Sequence, residues 1–136
     1  MTTVNRTIYI SQADMPRLRL LIEDLRKSRD DINDLRAELD QARVVPPADI
    51  PPDVITMNST AQLRDLADDQ LMTYTLVFPT QANADDGRIS VLAPVGTAML
   101  GHRVGDEFEW RVPAGPIRLR VESVLYQPER AGHFYL

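Results

Sequence analysis

Four prolines, Pro46, Pro47, Pro51 and Pro52, fall within the ten residues 44–53, and neither a continuous helix nor a central strand can pass through them. Proline lacks an amide donor and fixes φ, so this segment ends whatever precedes it and forms a stiff spacer rather than a loose tether. The chain is thereby divided into two parts, and their patterns differ.

Upstream of the spacer, residues 7–10 alternate as a short strand that leads into Ser11. Ser11 is a favourable helix N-cap, Asp14 three positions on completes an acidic capping pair, and Pro16 is tolerated in the first turn. Met15, Leu18, Ile22 and Leu25 follow at spacings of three, four and three, and Ile32, Leu35, Leu39 and Ala42 repeat the series after a polar break at residues 27–31. Two helices with matching narrow stripes are most simply an antiparallel coiled-coil hairpin. Arms of about 14 to 17 residues would reach roughly 20 to 25 Å. One partner helix buries such a stripe, so the arms are free to protrude.

Downstream, the pattern turns to strands. Residues 54–58 read as a strand, 59–66 as irregular or short helical structure, 71–78 as a clearer strand, and 79–86 as a polar loop closed by the Asp86-Gly87 turn. A strand over 89–92 stops before Pro94, a short helix spans 95–100, and Gly101 with Val104-Gly105-Asp106 turns the chain into the next strand. Residues 107–112 and 117–126 alternate with period two across the Pro113-Ala114-Gly115-Pro116 turn. The expected fold class is α+β: a short N-terminal antiparallel helical hairpin (1–45), a Pro-rich linker (46–53), and a half-covered antiparallel β-sheet domain with one short helix (54–136). Phe134, Tyr135 and Leu136 are expected to pack back on the body.

Charge and composition narrow the function. A net charge of -5 over 136 residues argues against a general nucleic-acid binder, which needs a clustered basic surface. The absence of cysteine excludes disulfide scaffolds, thiolate metal sites and cysteine nucleophiles. No apolar run approaches the roughly 20 residues needed to cross a bilayer, and the first residues are polar, so a cytoplasmic protein without membrane contact is expected.

The order Gly87, Ile89, Ser90, Pro94, Leu100, Gly101, Gly105, Asp106, in the spacing Gly-x-Ile-Ser-x-x-x-Pro-x-x-x-x-x-Leu-Gly-x-x-x-Gly-Asp, resembles the GreA/GreB transcription elongation factors. Within that superfamily the short hairpin, the run Asp53-Val54-Ile55-Thr56-Met57-Asn58-Ser59, the run Ala93-Pro94-Val95-Gly96 and the ending Tyr126-Gln127-Pro128-Glu129-x-Ala131-Gly132 look like the regulator of nucleoside diphosphate kinase (Rnk) family. The resemblance implies an FKBP-like C-terminal domain and a hairpin directed at the secondary channel of bacterial RNA polymerase core. In Gre factors two tip carboxylates help hold a second Mg²⁺ and activate water for RNA cleavage, whereas Rnk relatives keep the docking domain on a shortened arm. The implied protein is a non-enzymatic, monomeric regulator without a cofactor that competes with longer-armed factors. Any effect on nucleoside diphosphate kinase would then run through expression.

Two candidate sites follow. The hairpin tip holds Arg29, Asp30, Asp31 and Asp34, where Asp31-x-x-Asp34 echoes the acidic Gre tip. Mg²⁺ suits carboxylate ligands. Helix capping by Asp30 or Asp31, with Asp34 in the first turn opposite the helix dipole, is the competing and preferred assignment. The short arm and the neighbouring Arg26, Lys27 and Arg29 count against cleavage, with a Gre-like cleavage stimulator and a hairpin-mediated dimer as the rivals. The second candidate is a polymerase-docking surface at Pro94, Val95, Thr97, Met99, His102 and Arg103, implied by the matching Gre segment. Val95, Met99 and Leu100 are expected to cover the sheet, leaving Thr97, His102 and Arg103 as the outward contacts. Arg118 and Arg120, with Arg111 beside them, form a face that either meets phosphate or is simply solvated, the second being the commoner case. His102 and His133 lack the partners a zinc site needs. The few aromatics, Trp110 among them, match no prolyl isomerase pocket, and no phosphate-binding glycine loop supports a kinase.

Overall fold

The computed structural model describes residues 8–25, 32–112 and 115–132. Strand β1 (Tyr9–Ser11) enters helix α1 (Asp14–Leu25), and α2 (Ile32–Gln41) returns to β2 (Arg43–Val45). β1 and β2 pair in parallel, Tyr9 opposite Arg43 and Ser11 opposite Val45. A parallel pair needs a crossover connection, and the helical hairpin supplies it. The Arg43 N–H donates to the Ile8 carbonyl at 2.9 Å and the Gln12 N–H to the Val45 carbonyl at 2.7 Å, which closes the base of the hairpin. Arg19 on α1 and Asp40 on α2 pair at 2.8 Å across its exposed side.

Of the expected stripe, the described side chains are the ones the helices bury, and those of Leu25 and Ile32 lie outside the description. Leu18, Ile22, Leu35 and Leu39 are all inaccessible to solvent, with Met15 and Ala42 half-covered beside them. These side chains do more than zip the two helices together: they belong to one continuous core with the sheet that follows. Burying one such side chain contributes about 1.5 to 3 kcal/mol, so the base of the hairpin and the sheet stabilise each other.

The sheet has five strands in the order β5-β4-β3-β7-β6. They are β3 (Thr60–Asp65), β4 (Leu71–Val77), β5 (Arg88–Ser90), β6 (Glu107–Val112) and β7 (Gly115–Tyr126). The short helix α3 (Pro94–Met99) lies between β5 and β6, and α4 (Pro128–Ala131) follows β7. The inner face carries Ala61, Leu63, Leu76, Leu119, Val121 and Val124, which pack on the hairpin stripe and on Val95, Met99 and Leu100.

Three expectations change in detail. Residues 59–66, read as irregular or helical, contain the central strand β3. Its inward residues are Ala61 and Leu63, both good helix formers, and this blurs an alternation that the outward Thr60, Gln62 and Arg64 complete. Residues 54–58, read as a strand, form a buried loop whose ladder pairing is a single isolated bridge, Val54 to Arg103. Val54, Ile55, Thr56 and Met57 are all buried in succession, which a strand with one wet face does not allow. Finally, the sheet is antiparallel except at its edge, where β5 runs parallel to β4. The tail residues Phe134, Tyr135 and Leu136 lie outside the described residues.

Candidate functional site

The corner around α3 is shaped by two close approaches. A Cβ on Gly96 would stand 2.0 Å from the Ser90 carbonyl oxygen, so only glycine lets the helix lie against the end of β5. Gly101 adopts φ +80°, and a Cβ there would stand 2.5 Å from Cβ of Ile8. Its N–H donates to the Ile55 carbonyl at 2.8 Å, and the Ile55 N–H donates to the His102 carbonyl at 2.8 Å. The corner is thereby tied both to the N-terminal strand and to the buried loop.

Most of the predicted docking residues point inward. Val95, Met99 and Leu100 are buried as expected, but so are Thr97 and His102, each 7% exposed. The Thr97 hydroxyl donates to the Val91 carbonyl at 2.6 Å, and the His102 ring lies 5.2 Å from that of Phe108. The reason is that α3 is enclosed on two sides, by β5 and β6 and by α2, so this helix has no wholly wet face. The expectation that Thr97 and His102 face outward is therefore corrected. Nothing is described of the Pro94 side chain.

Arg103 is the exposed member of the set. Its guanidinium Nε lies 3.2 Å from Asp53 Oδ1, and both side chains are substantially open to solvent. The Asp106 carboxylate accepts the Arg103 N–H at 2.8 Å, and the Val104 N–H donates to the Asp53 carbonyl at 3.1 Å, which leaves Val104 exposed beside the ion pair. The outward surface of this corner is thus Arg103, Asp53 and Val104. Thr97→Val tests the inward assignment: it should lower stability by about 1 to 2 kcal/mol in urea unfolding, by leaving the Val91 carbonyl unpaired. An outward contact residue would show no such loss.

Of the tip residues, Arg29, Asp30 and Asp31 lie outside the described residues, and Asp34 falls in the first turn of α2. His133 is also outside them. On the open face of the sheet, Arg120 pairs with Glu122 at 2.6 Å, Arg64 with Glu122 at 3.4 Å, and Arg118 with Glu107 at 3.3 Å. The hydrogen bond from Arg120, helped by Arg64, holds the Glu122 carboxyl below its ordinary range. This face is a solvated ladder of paired charges. Among the described residues no three His, Asp or Glu side chains converge on a metal position, and no helix is long and apolar enough to cross a membrane.

A junction that the sequence did not announce lies at the base of the hairpin. The Gln127 side-chain amide donates to the Pro51 and Val54 carbonyls, both at 2.8 Å, and its oxygen accepts the Arg130 N–H at 3.0 Å. Arg130 reaches the Pro52 carbonyl at 3.1 Å and the Val124 carbonyl at 3.1 Å. Glu129 accepts the Thr56 hydroxyl at 2.7 Å, and the Ser59 hydroxyl accepts the Thr56 N–H at 2.9 Å. The two runs 53–59 and 126–132, far apart in sequence, are therefore each other's binding partners. Asp14 completes the junction from α1: the Ser11 hydroxyl accepts its N–H at 3.0 Å, its side chain is buried, and the Met57 N–H donates to its carboxylate. Burial first, and then the charge of Glu129, push the Asp14 carboxyl up to about 7, against the pull of Arg17 and the Met57 N–H.

A hairpin crossover set on a five-stranded sheet with a glycine-shaped helical corner defines a class. The family model described as transcription elongation factor, GreA/GreB, C-term matches residues 50–126, more than half of the chain, and the chain belongs to that family. A solved structure titled prokaryotic transcription elongation factor GreA/GreB, from Nitrosomonas europaea, superposes with a TM-score of 0.77 at 44% identity, covering 89% of this chain and 99% of that one. GreA of Syntrophotalea carbinolica is 35% identical over 95 residues, 70% of this chain and 60% of that protein. The N-terminal part is more particular: the model described as Rnk N-terminus matches residues 6–45. The regulator of nucleoside diphosphate kinase of Escherichia coli K12 is 42% identical over 132 residues, 96% of this chain and 97% of that protein. Within the GreA/GreB superfamily the chain falls in the Rnk branch.

Proposed function

We propose that the protein regulates transcription by binding bacterial RNA polymerase at the rim of its secondary channel, with the short hairpin in the entrance and no transcript cleavage. The observation that carries this reading is the GreA/GreB-type body with its α3 corner intact, built on the same core as the hairpin base. The outward contacts at the corner are Arg103, Asp53 and Val104, while Val95, Thr97, Met99 and His102 hold it in shape. On this reading the hairpin-tip residues Arg29, Asp30, Asp31 and Asp34 are the part of the arm directed into the channel, and the three aspartates act without a second Mg²⁺. An effect on nucleoside diphosphate kinase follows from altered expression.

Core polymerase immobilised on a sensor tests the docking step. The full chain should bind, and Arg103→Glu should weaken binding by about tenfold, mainly through a slower on-rate and an altered salt dependence, as rim charges do. The arm itself should not be deleted for this test, because Leu18, Leu35 and Leu39 are part of the core and cutting them away would open it. No binding by the full chain would refute the proposal.

A further inference from the structure

We propose that the meeting of Asp14 with the Met57 N–H and the Glu129 carboxylate is a proton-operated clasp, fastening the base of the hairpin to the C-terminal body when Asp14 is protonated and loosening it when Asp14 is charged.

Three separate segments meet there, the first turn of α1, the buried loop of Thr56 and Ser59, and α4, and Asp14 is 4% exposed among them. Each of the three is held in its own shape. Ser11 caps the start of α1, Thr56 is held by Ser59, and Gln127 anchors the start of α4 to the Pro51 and Val54 carbonyls. Glu129 takes the Thr56 hydroxyl at 2.7 Å, a bond suited to the charged carboxylate. A second negative charge beside it falls on Asp14, where water cannot screen it. The facing groups are Glu129 from α4 and Arg17 from α1, the latter with its guanidinium 4.3 Å from the ring centre of Phe78. Arg17 offsets only part of the repulsion, and the carboxyl is left poised at about 7.

The sign follows from linkage. A carboxyl whose pKa is raised in the closed state favours closure fully below its ordinary value near 4, loses that contribution as pH rises, and has lost it above about 7. Over that window the opening equilibrium shifts by up to about tenfold per pH unit. The clasp does not depend on any partner, so it stands or falls apart from polymerase binding.

Amide hydrogen exchange of the full chain, corrected for intrinsic rates, reads the opening directly. Amides of β1 and α1 should open about tenfold more often at pH 8 than at pH 6. In Asp14→Asn the ratio should fall to about one, because the side chain no longer titrates. In Glu129→Gln the midpoint should move to lower pH and the ratio should shrink. A ¹³C carboxyl titration of the unaltered protein gives the same answer without any variant. An Asp14 midpoint near 4, or an exchange ratio unchanged in Asp14→Asn, would overturn the clasp.

Discussion

A Gly96→Ala chain is expected to unfold at a clearly lower urea concentration, with a loss of about 2 to 4 kcal/mol. Propensity alone gives the opposite sign, since alanine in a helix is worth about 1 kcal/mol more than glycine. Space decides the matter. The added methyl would lie 2.0 Å from the Ser90 oxygen, 2.9 Å from its carbonyl carbon and 3.2 Å from Cα of Val91, all backbone atoms that cannot swing aside. Either α3 lifts from β5 or the strand end shifts, and both disturb the corner that presents Arg103. Gly132→Ala is the control: its φ is +80° but nothing lies within 4 Å, so the cost should be limited to about 1 to 2 kcal/mol of left-handed backbone strain. A Gly96→Ala midpoint equal to or above that of the parent would show that α3 does not press on Ser90.

Gln127→Leu should cost nearly as much, about 2 to 4 kcal/mol, although it replaces a polar side chain by an apolar one of similar size. Burial alone would favour leucine. The amide, however, serves two carbonyls of the Pro-rich stretch and caps α4 through the Arg130 N–H. Removing it leaves the Val54 carbonyl and the Arg130 N–H without a partner and the Pro51 carbonyl with only the Val54 N–H at 3.2 Å, and an unpaired buried group costs more than a hydrogen bond contributes. The loss should appear both as a lower urea midpoint and as faster exchange of the Arg130 and Ala131 amides. A stable variant with unchanged protection would mean that water readily replaces the amide.

Much of this fold was legible because its signals are periodic. The three-four spacing of Leu18, Ile22, Leu35 and Leu39 specifies a helical pair, and the alternation in β4, β6 and β7 specifies strands. The prolines mark the change between them, and the positive φ at Gly87 and Gly101 falls where turns were expected. The central strand β3 was less legible because Ala61 and Leu63 carry its buried face without β-branched residues. The site was harder still. A helix of six residues wedged between α2 and the sheet has no wet stripe, so spacing cannot tell Thr97 from a surface residue. Asp14 looked like an ordinary capping residue because its first hydrogen bond is local. Its second and third partners, Met57 and Glu129, come from segments over 40 and over 110 residues away, a distance no local pattern spans. The family resemblance supplied the placement of the corner, and burial then sorted its residues into those that shape it and those that face outward.

Transcript length in backtracked elongation complexes tests polymerase binding without cleavage most directly. Complexes stalled with Mg²⁺ and a GreA-type factor would be titrated with the full chain. Cleavage by the GreA-type factor should fall as the chain is added, and the chain alone should leave the transcript at its original length. Cleavage unaffected by the chain would contradict the docking proposal. Mg²⁺-dependent shortening by the chain alone, lost in Asp31→Ala, would instead give the tip carboxylates a catalytic role.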